Sequence, residues 1–352
     1  MPLTRRDVLI SSTFPLIKPV LHNLNLDGND NGYISIIGAS GETGKECIRI
    51  LTEEGRRVNA ISRKPFELFD DIDIDKKLVK SVSLDIKDRK GADSLDDVLK
   101  GSSAVLFLAN AKRKYKYIKT DVEEFQNYED IDVYAMQNIV KGCIKHRVPR
   151  LVYVSGSCRS CLADNRVDYD KICGLECEHC IAKQIGENII RKEYSIVPKK
   201  TDYTIIRTGY LFNGVNRGVS EIELNQDYTK SGMISRVDLA NLCIRSLEND
   251  KTSRTTFEAY YRDSTQPYDV KESLSKCTAL GKSVEECFFG SSFKDRKPDN
   301  IEDVRKNPIK GSIFTTGEEY SGGSWEELFG SLKKDNIDLE KMLQEFKDAN
   351  ID

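Results

Sequence analysis

The chain has 352 residues, of which 39% are hydrophobic and 32% charged, with a net charge of −3. That length suffices for one large domain plus an appendage, and the charge gives no electrostatic ground for binding nucleic acid or an acidic membrane. No apolar run reaches the ~18 residues needed to cross a membrane as a helix.

Residues 1–32 open with Thr4-Arg5-Arg6-Asp7-Val8-Leu9-Ile10, a start like that of a twin-arginine export signal or the tail of a plastid targeting sequence. Pro15 breaks the short apolar stretch that follows, so an ordinary disordered leader is an equal reading. The leader reading favours a plastid, the other the cytoplasm. Residues 23–32 form a polar linker.

Next comes Tyr33-Ile-Ser-Ile-Ile-Gly38-Ala-Ser40-Gly41-Glu-Thr43-Gly44, an apolar strand running into three glycines at three-residue spacing. A helix pattern follows, with Cys47, Ile48 and Leu51 on one face and Gly55 as a stop. This strand–turn–helix unit makes a place for a pyrophosphate. Gly38 permits the tight turn, Gly41 lets the ligand approach the backbone, and Gly44 lets the helix pack on the strand. Free N–H groups and the dipole at the helix start would hold the anion.

Residues 57–62 are a second strand, ending in Arg63 and Lys64 where NAD-preferring proteins place an acidic residue; a basic one accommodates a 2′-phosphate, and the plainer reading of Arg63 is a solvated charge at a strand end. Residues 81–85, 103–110 and 150–155 are the third, fourth and fifth strands, and residues 133–146 a helix ending in a basic turn. Alternating strands and helices predict a doubly wound parallel sheet covered on both faces, a Rossmann-type α/β fold. Lys112-Arg-Lys-Tyr-Lys-Tyr-Ile-Lys119 is basic and interleaved with tyrosines, and without a wider basic face it reads as a solvated loop rather than a nucleic-acid surface.

Five of the ten cysteines fall in Cys158-Arg-Ser-Cys161, Cys173 and Cys177-Glu-His179-Cys180. Two Cys-x-x-Cys pairs at this separation match a four-thiolate zinc site, with Cys158, Cys161, Cys177 and Cys180 as ligands. A thiol switch, an iron–sulfur cluster and plain reduced cysteines are the other readings. Cys47, Cys143 and Cys243 sit on helix patterns as small buried hydrophobes, and Cys277 and Cys287 are scattered.

At this point the chain resembles the atypical short-chain dehydrogenase/reductases, in particular their NmrA-like, NAD(P)H-binding branch. The glycine turn, Ser62-Arg63, Asp85 and Leu151-Val-Tyr-Val-Ser-Gly-Ser157 carry the resemblance, with Asp202-Tyr-Thr-Ile-Ile-Arg-Thr-Gly-Tyr-Leu211 and Ile234-Ser-Arg-Val-Asp-Leu-Ala240 further on. It spans roughly residues 33–262 and implies an NADP(H) site formed by Gly38, Ser40, Gly41, Thr43, Gly44, Arg63, Asp85, Ala109, Asn110, Lys183 and Arg207. It also implies a catalytic Ser157 and Lys183, with His179 standing where the family has a tyrosine. Histidine can donate a proton near neutral pH.

Residues 263–352 form a C-terminal extension. Ser324-Trp-Glu-Glu327 is a capping box, with Trp325, Leu328, Phe329 and Leu332 on one helix face. A second helix carries Leu339, Met342, Leu343 and Phe346. Such faces are more often packed on their own domain than offered to partners. Two functions follow from this sequence. One is an NADPH-dependent oxidoreductase acting on a small carbonyl or quinone-like substrate. The other is a catalytically weak, NADP(H)-bound assembly or regulatory protein that meets a protein partner through the cysteine loop and the tail.

Overall fold

Short β-branched runs punctuated by glycine turns give the strands, and amphipathic stretches between them give the helices. The computed structural model describes residues 32–63, 74–87, 92–111, 128–157, 177–197, 200–226, 230–267, 270–289 and 321–337. In its first half these residues form β1 (Tyr33–Ile37), α1 (Glu42–Glu53), β2 (Val58–Ser62), β3 (Val79–Ser83), α2 (Ala92–Leu99), β4 (Ser102–Phe107), α3 (Met136–Lys145) and β5 (Arg150–Gly156). They continue with α4 (Cys177–Ser195), β6 (Asp202–Thr208), β7 (Tyr210–Phe212), β8 (Ile222–Asn225), β9 (Lys230–Ser231), β10 (Met233–Ser235) and α5 (Arg236–Glu248). Last come β11 (Thr255–Tyr261), β12 (Gln266–Pro267), α6 (Val270–Thr278), α7 (Val284–Phe289) and α8 (Trp325–Gly330).

Eight strands join one sheet in the order β3-β2-β1-β4-β5-β6-β11-β8, parallel throughout except for β8, which runs antiparallel to β11. The order reverses between β1 and β4, the switch point where open α/β sheets bind their ligands. Helices cover both faces. Cys47, Ile48 and Leu51 of α1 and Leu239, Leu242 and Cys243 of α5 bury one face; Leu95 and Leu99 of α2, Ile139 and Val140 of α3 and Ile189 and Ile190 of α4 bury the other. Cys47, Cys143 and Cys243 are fully buried free thiols, as their helix positions imply. Gly55 stops α1 with φ 73°, a left-handed position that suits glycine.

Three sequence expectations shift. The third strand starts two residues earlier than expected, at Val79. The fourth, expected over 103–110, ends at Phe107, and after β6 and Gly209 the chain forms β7, which pairs with β10. Gly209 sits against the Gly232 carbonyl, where a Cβ would have no room. The helix expected over 133–146 opens as a π-helical turn, Asp130–Ala135, before settling into α3.

Part of the tail joins the same core. Leu328 and Phe329 of α8 are fully buried, and the Phe329 ring lies 6.3 Å from that of Phe257 on β11. Asp335 then accepts hydrogen bonds from Thr256, Tyr203 and Arg191 at 2.7, 2.9 and 3.3 Å. Cys277 and Cys287, scattered in sequence, form a disulfide joining α6 to α7. No described helix is long and apolar enough to cross a membrane. The basic stretch 112–119, residues 1–31 of the leader and the second tail helix lie outside the described residues.

Candidate cofactor-binding site

The glycine turn is built as its sequence requires. Gly38 has φ 93°, and a Cβ there would come within 2.6 Å of the Ala109 nitrogen, so only glycine fits between β1 and the end of β4. A Cβ at Gly44 would reach the Gly38 carbonyl oxygen at 2.5 Å, which explains how closely α1 packs on the turn. Gly41, the N-cap of α1, offers no side chain to the first-turn amides, and a Cβ there would meet only the Gly38 oxygen at 3.2 Å. The first-turn N–H groups are therefore available to an anion, and the Gly41 side of the turn is open to receive it. The residues present fit a pyrophosphate.

Two cavities meet on this turn, sharing Gly38, Gly41, Leu108 and Asn110. One, of about 310 Å³, also takes in Ser40, Ser62, Arg63, Asp85, Ala109 and Ile131. The other, of about 340 Å³, takes in Thr43, Gly44, Val154, Ser155, Lys183, Thr208, Tyr210 and Arg236. A two-lobed cleft folded over a glycine turn, at the switch point of the sheet, has the outline of a dinucleotide site.

The second lobe has a buried charged floor. Lys183 lies on α4 with 2% of its surface exposed, and its Nζ stands 2.8 Å from Oδ1 of Asp132 on the π-helical turn. The same Oδ1 accepts the Tyr153 hydroxyl at 3.0 Å, and Nζ lies 4.8 Å above the Tyr153 ring. Nζ also donates to the Val154 carbonyl at 3.3 Å. Gly186 admits this arrangement, since a Cβ there would run into the Asp132 backbone oxygen. Asp132 was not singled out from sequence. Its one signal is a carboxylate between two apolar residues, Ile131 and Val133, on a helical pattern.

A sequence-family profile described as NAD(P)H-binding matches residues 38–250. The chain belongs to the NAD(P)H-binding family. That membership agrees with the atypical short-chain dehydrogenase/reductase resemblance and its NmrA-like branch. Among solved structures, an oxidoreductase from Lactococcus lactis is 19% identical, with 65% of this chain and 90% of that one covered and a TM-score of 0.49. A short-chain dehydrogenase/reductase from Veillonella parvula, solved with NADP, is 18% identical over 65% of this chain and 94% of that one, with a TM-score of 0.45. A superfamily protein from Agrobacterium tumefaciens with bound NAD is 14% identical over 70% and 82%, with a TM-score of 0.47. No curated protein matches the chain significantly.

Within this NAD(P)H-binding fold, most expected cofactor residues converge on the cleft: Gly38, Ser40, Gly41, Thr43, Gly44, Arg63, Asp85, Ala109, Asn110 and Lys183 all line it. Arg207 does not. Its side chain stands in a buried polar row that crosses four strands in register, Ser155, Arg207, Glu258 and Asn225. Arg207 Nη2 bonds Glu187 of α4 at 2.6 Å and Nη1 bonds Glu258 at 2.9 Å, so the guanidinium serves the sheet and the next residues, Thr208 to Leu211, face the cavity instead. Burial alone would raise Glu187, but Arg207 and Arg191 override it and bring its carboxyl down to about 2. Burial wins at Glu258, pushing it up to about 7 against the pull of Arg207.

The remaining site candidates separate. His179 is buried against the Tyr128 ring, 5.1 Å between centroids, and is not on either cavity wall. Ser157 is buried beyond the cavity lining, its N–H on the Thr208 carbonyl and its Oγ without a partner among the described residues. Cys158 and Cys161, and the side chain of Cys177, lie outside the described residues, while Cys180 is buried on α4. Among the described residues no group of three or more His, Cys, Asp or Glu is arranged to hold a metal ion, so the zinc expectation gains no support here.

Proposed function

We propose that the chain is an NADP(H)-dependent oxidoreductase acting on a small carbonyl or quinone-like substrate. The two-lobed cleft carries this reading: its glycine turn joins a lobe ending at Ser62 and Arg63 to a lobe floored by Lys183. When bound, the nicotinamide supplies a hydride. The first-turn amides of α1 hold the pyrophosphate, and Arg63, exposed at the end of β2, receives the 2′-phosphate where an NAD site would carry a carboxylate. Asp85, Ala109 and Asn110 line the adenosine side. Lys183 presents its ammonium at the floor of the other lobe, held there by Asp132.

Ser157, expected to orient the carbonyl, is buried behind the cavity wall, and no contact with the substrate is assigned to it. With His179 packed on Tyr128, the proton for the carbonyl oxygen would come from a water hydrogen-bonded to Lys183 Nζ, and bulk water would replace the proton that it gives up. A second reading, a cofactor-bound regulatory protein with weak chemistry, draws support from the Asp132–Lys183 pair, which leaves the cavity floor without a free charge. NADPH oxidation over a panel of quinones, enones and aldehydes separates the two. Reduction that falls steeply in Lys183→Ala bears out the enzyme. Tight NADPH binding with no carbonyl reduced, and Lys183→Ala changing affinity alone, would leave only the regulatory reading.

A further inference from the structure

The cofactor lobe floored by Lys183 contains a second cation, one that makes no ion pair among the described residues. Arg236, the first residue of α5, lines that cavity together with the glycine turn. Its only hydrogen bond among the described residues runs from Nη1 to the Asn213 side-chain oxygen at 2.8 Å. Arg207, Arg217, Arg245 and Arg254, by contrast, each pair with a carboxylate. Lys183 is answered by Asp132. Glu42 also lines the cavity, and no ion pair joins it to Arg236.

The backbone around Arg236 is tied down by hydrogen bonds. Ser235 caps α5 by accepting the Asp238 N–H at 3.2 Å, and Asp238 accepts the Tyr261 hydroxyl. Asp238 also accepts the backbone N–H groups of Arg217 and Gly218 at 2.8 and 3.1 Å, which ties the segment after Asn213 to the same point. A planar guanidinium on this anchored helix start, with most of its five donors unspent, is suited to two oxygens of one anion.

We propose that Arg236 anchors an anionic oxygen group in this lobe, either a phosphate of the dinucleotide or a carboxylate or phosphate on the substrate. The inference rests on the cofactor reading above. Its test is calorimetric titration of the full-length wild type, Arg236→Lys and Arg236→Gln with NADPH, and with succinate and inorganic phosphate, each protein both free and saturated with NADP+. Arg236→Gln should lose about tenfold or more in affinity for at least one of the three probes, the usual weight of a charge-assisted bond. Arg236→Lys keeps the charge without the fork and should lose less. A loss for NADPH assigns the dinucleotide; a loss confined to succinate or phosphate on the saturated protein assigns the substrate.

Wild-type affinities in Arg236→Gln for NADPH and both anions would overturn the proposal, as would anions that bind no form while NADPH binding is unchanged. If the wild type binds no NADPH, the cofactor reading falls, and the anion titrations of the free chain still decide Arg236. A wild-type melting temperature in Arg236→Lys shows that the fold is intact.

Discussion

Single atoms set the cleft. At Gly44 even a methyl group would press on the Gly38 carbonyl at 2.5 Å, so α1 would have to move off the turn that it completes. Gly44→Val should lower the melting temperature and weaken NADPH binding by about tenfold or more, an effect that a fluorescence titration would read. Asp132 is a different kind of requirement. It answers a buried ammonium, and removing one partner of such a pair is far costlier than replacing both. Asp132→Ala should therefore cost about 3–5 kcal/mol in urea denaturation, and the double change Asp132→Leu, Lys183→Met much less. An equal loss in both would deny that the pair is a charge pair at all.

These residues also show what the sequence could and could not say. The glycines were legible because the turn tolerates no other residue type. Arg207 was misplaced because a strand alternates its faces. Its side chain meets Glu258 across the sheet, and that neighbour is 51 residues away, where no local pattern points to it. Asp132 escaped notice for the same reason, since Lys183 becomes its partner only once α4 crosses the π-helical turn.

At the scale of elements, periodicity located most strands and helices and placed the tail helix α8, while α6 and α7 in the same tail went unforeseen. The capping box forms at α8: Ser324 Oγ accepts the Glu327 N–H at 3.3 Å, while Glu327 reaches back to the Gly323 N–H at 2.7 Å, one residue earlier than the ideal box. Its apolar face packs inward, as such faces mostly do. Phe329→Ala should cost about 3–5 kcal/mol by thermal or urea unfolding, the usual penalty for emptying a buried aromatic site. A change within error would mean that α8 is only laid on the surface. The disulfide between α6 and α7 was illegible, since a spacing of ten residues favours no partner over the other cysteines.

Across the whole molecule, charge runs from the cofactor cleft to the tail along one face of α4. Lys183, Glu187 and Arg191 recur at four-residue spacing and meet Asp132, Arg207 and Asp335 in turn. Two carboxylates in this array titrate in opposite senses. Glu187 falls from its ordinary 4.5 to about 2, so its contribution is present above pH 4.5 and is lost as pH falls through about 2. Glu258 rises from 4.5 to about 7, so the folded chain holds that proton more tightly than the unfolded one, and stability declines as pH climbs from 4.5 to about 7. Glu258→Gln, which cannot ionise, should flatten the decline in melting temperature across that window. An identical slope in wild type and variant would remove Glu258 as its source.

The fold and family rest on the sheet order and the match over residues 38–250, and the cleft adds a specific claim about which dinucleotide it takes. The most direct test is a fluorescence titration of the full chain with NADPH and with NADH, repeated on Arg63→Gln. The account predicts saturable binding with NADPH favoured by about tenfold or more, and a preference that vanishes in Arg63→Gln while NADH affinity holds. Equal affinities in the wild type, or no saturable binding of either nucleotide, would contradict it.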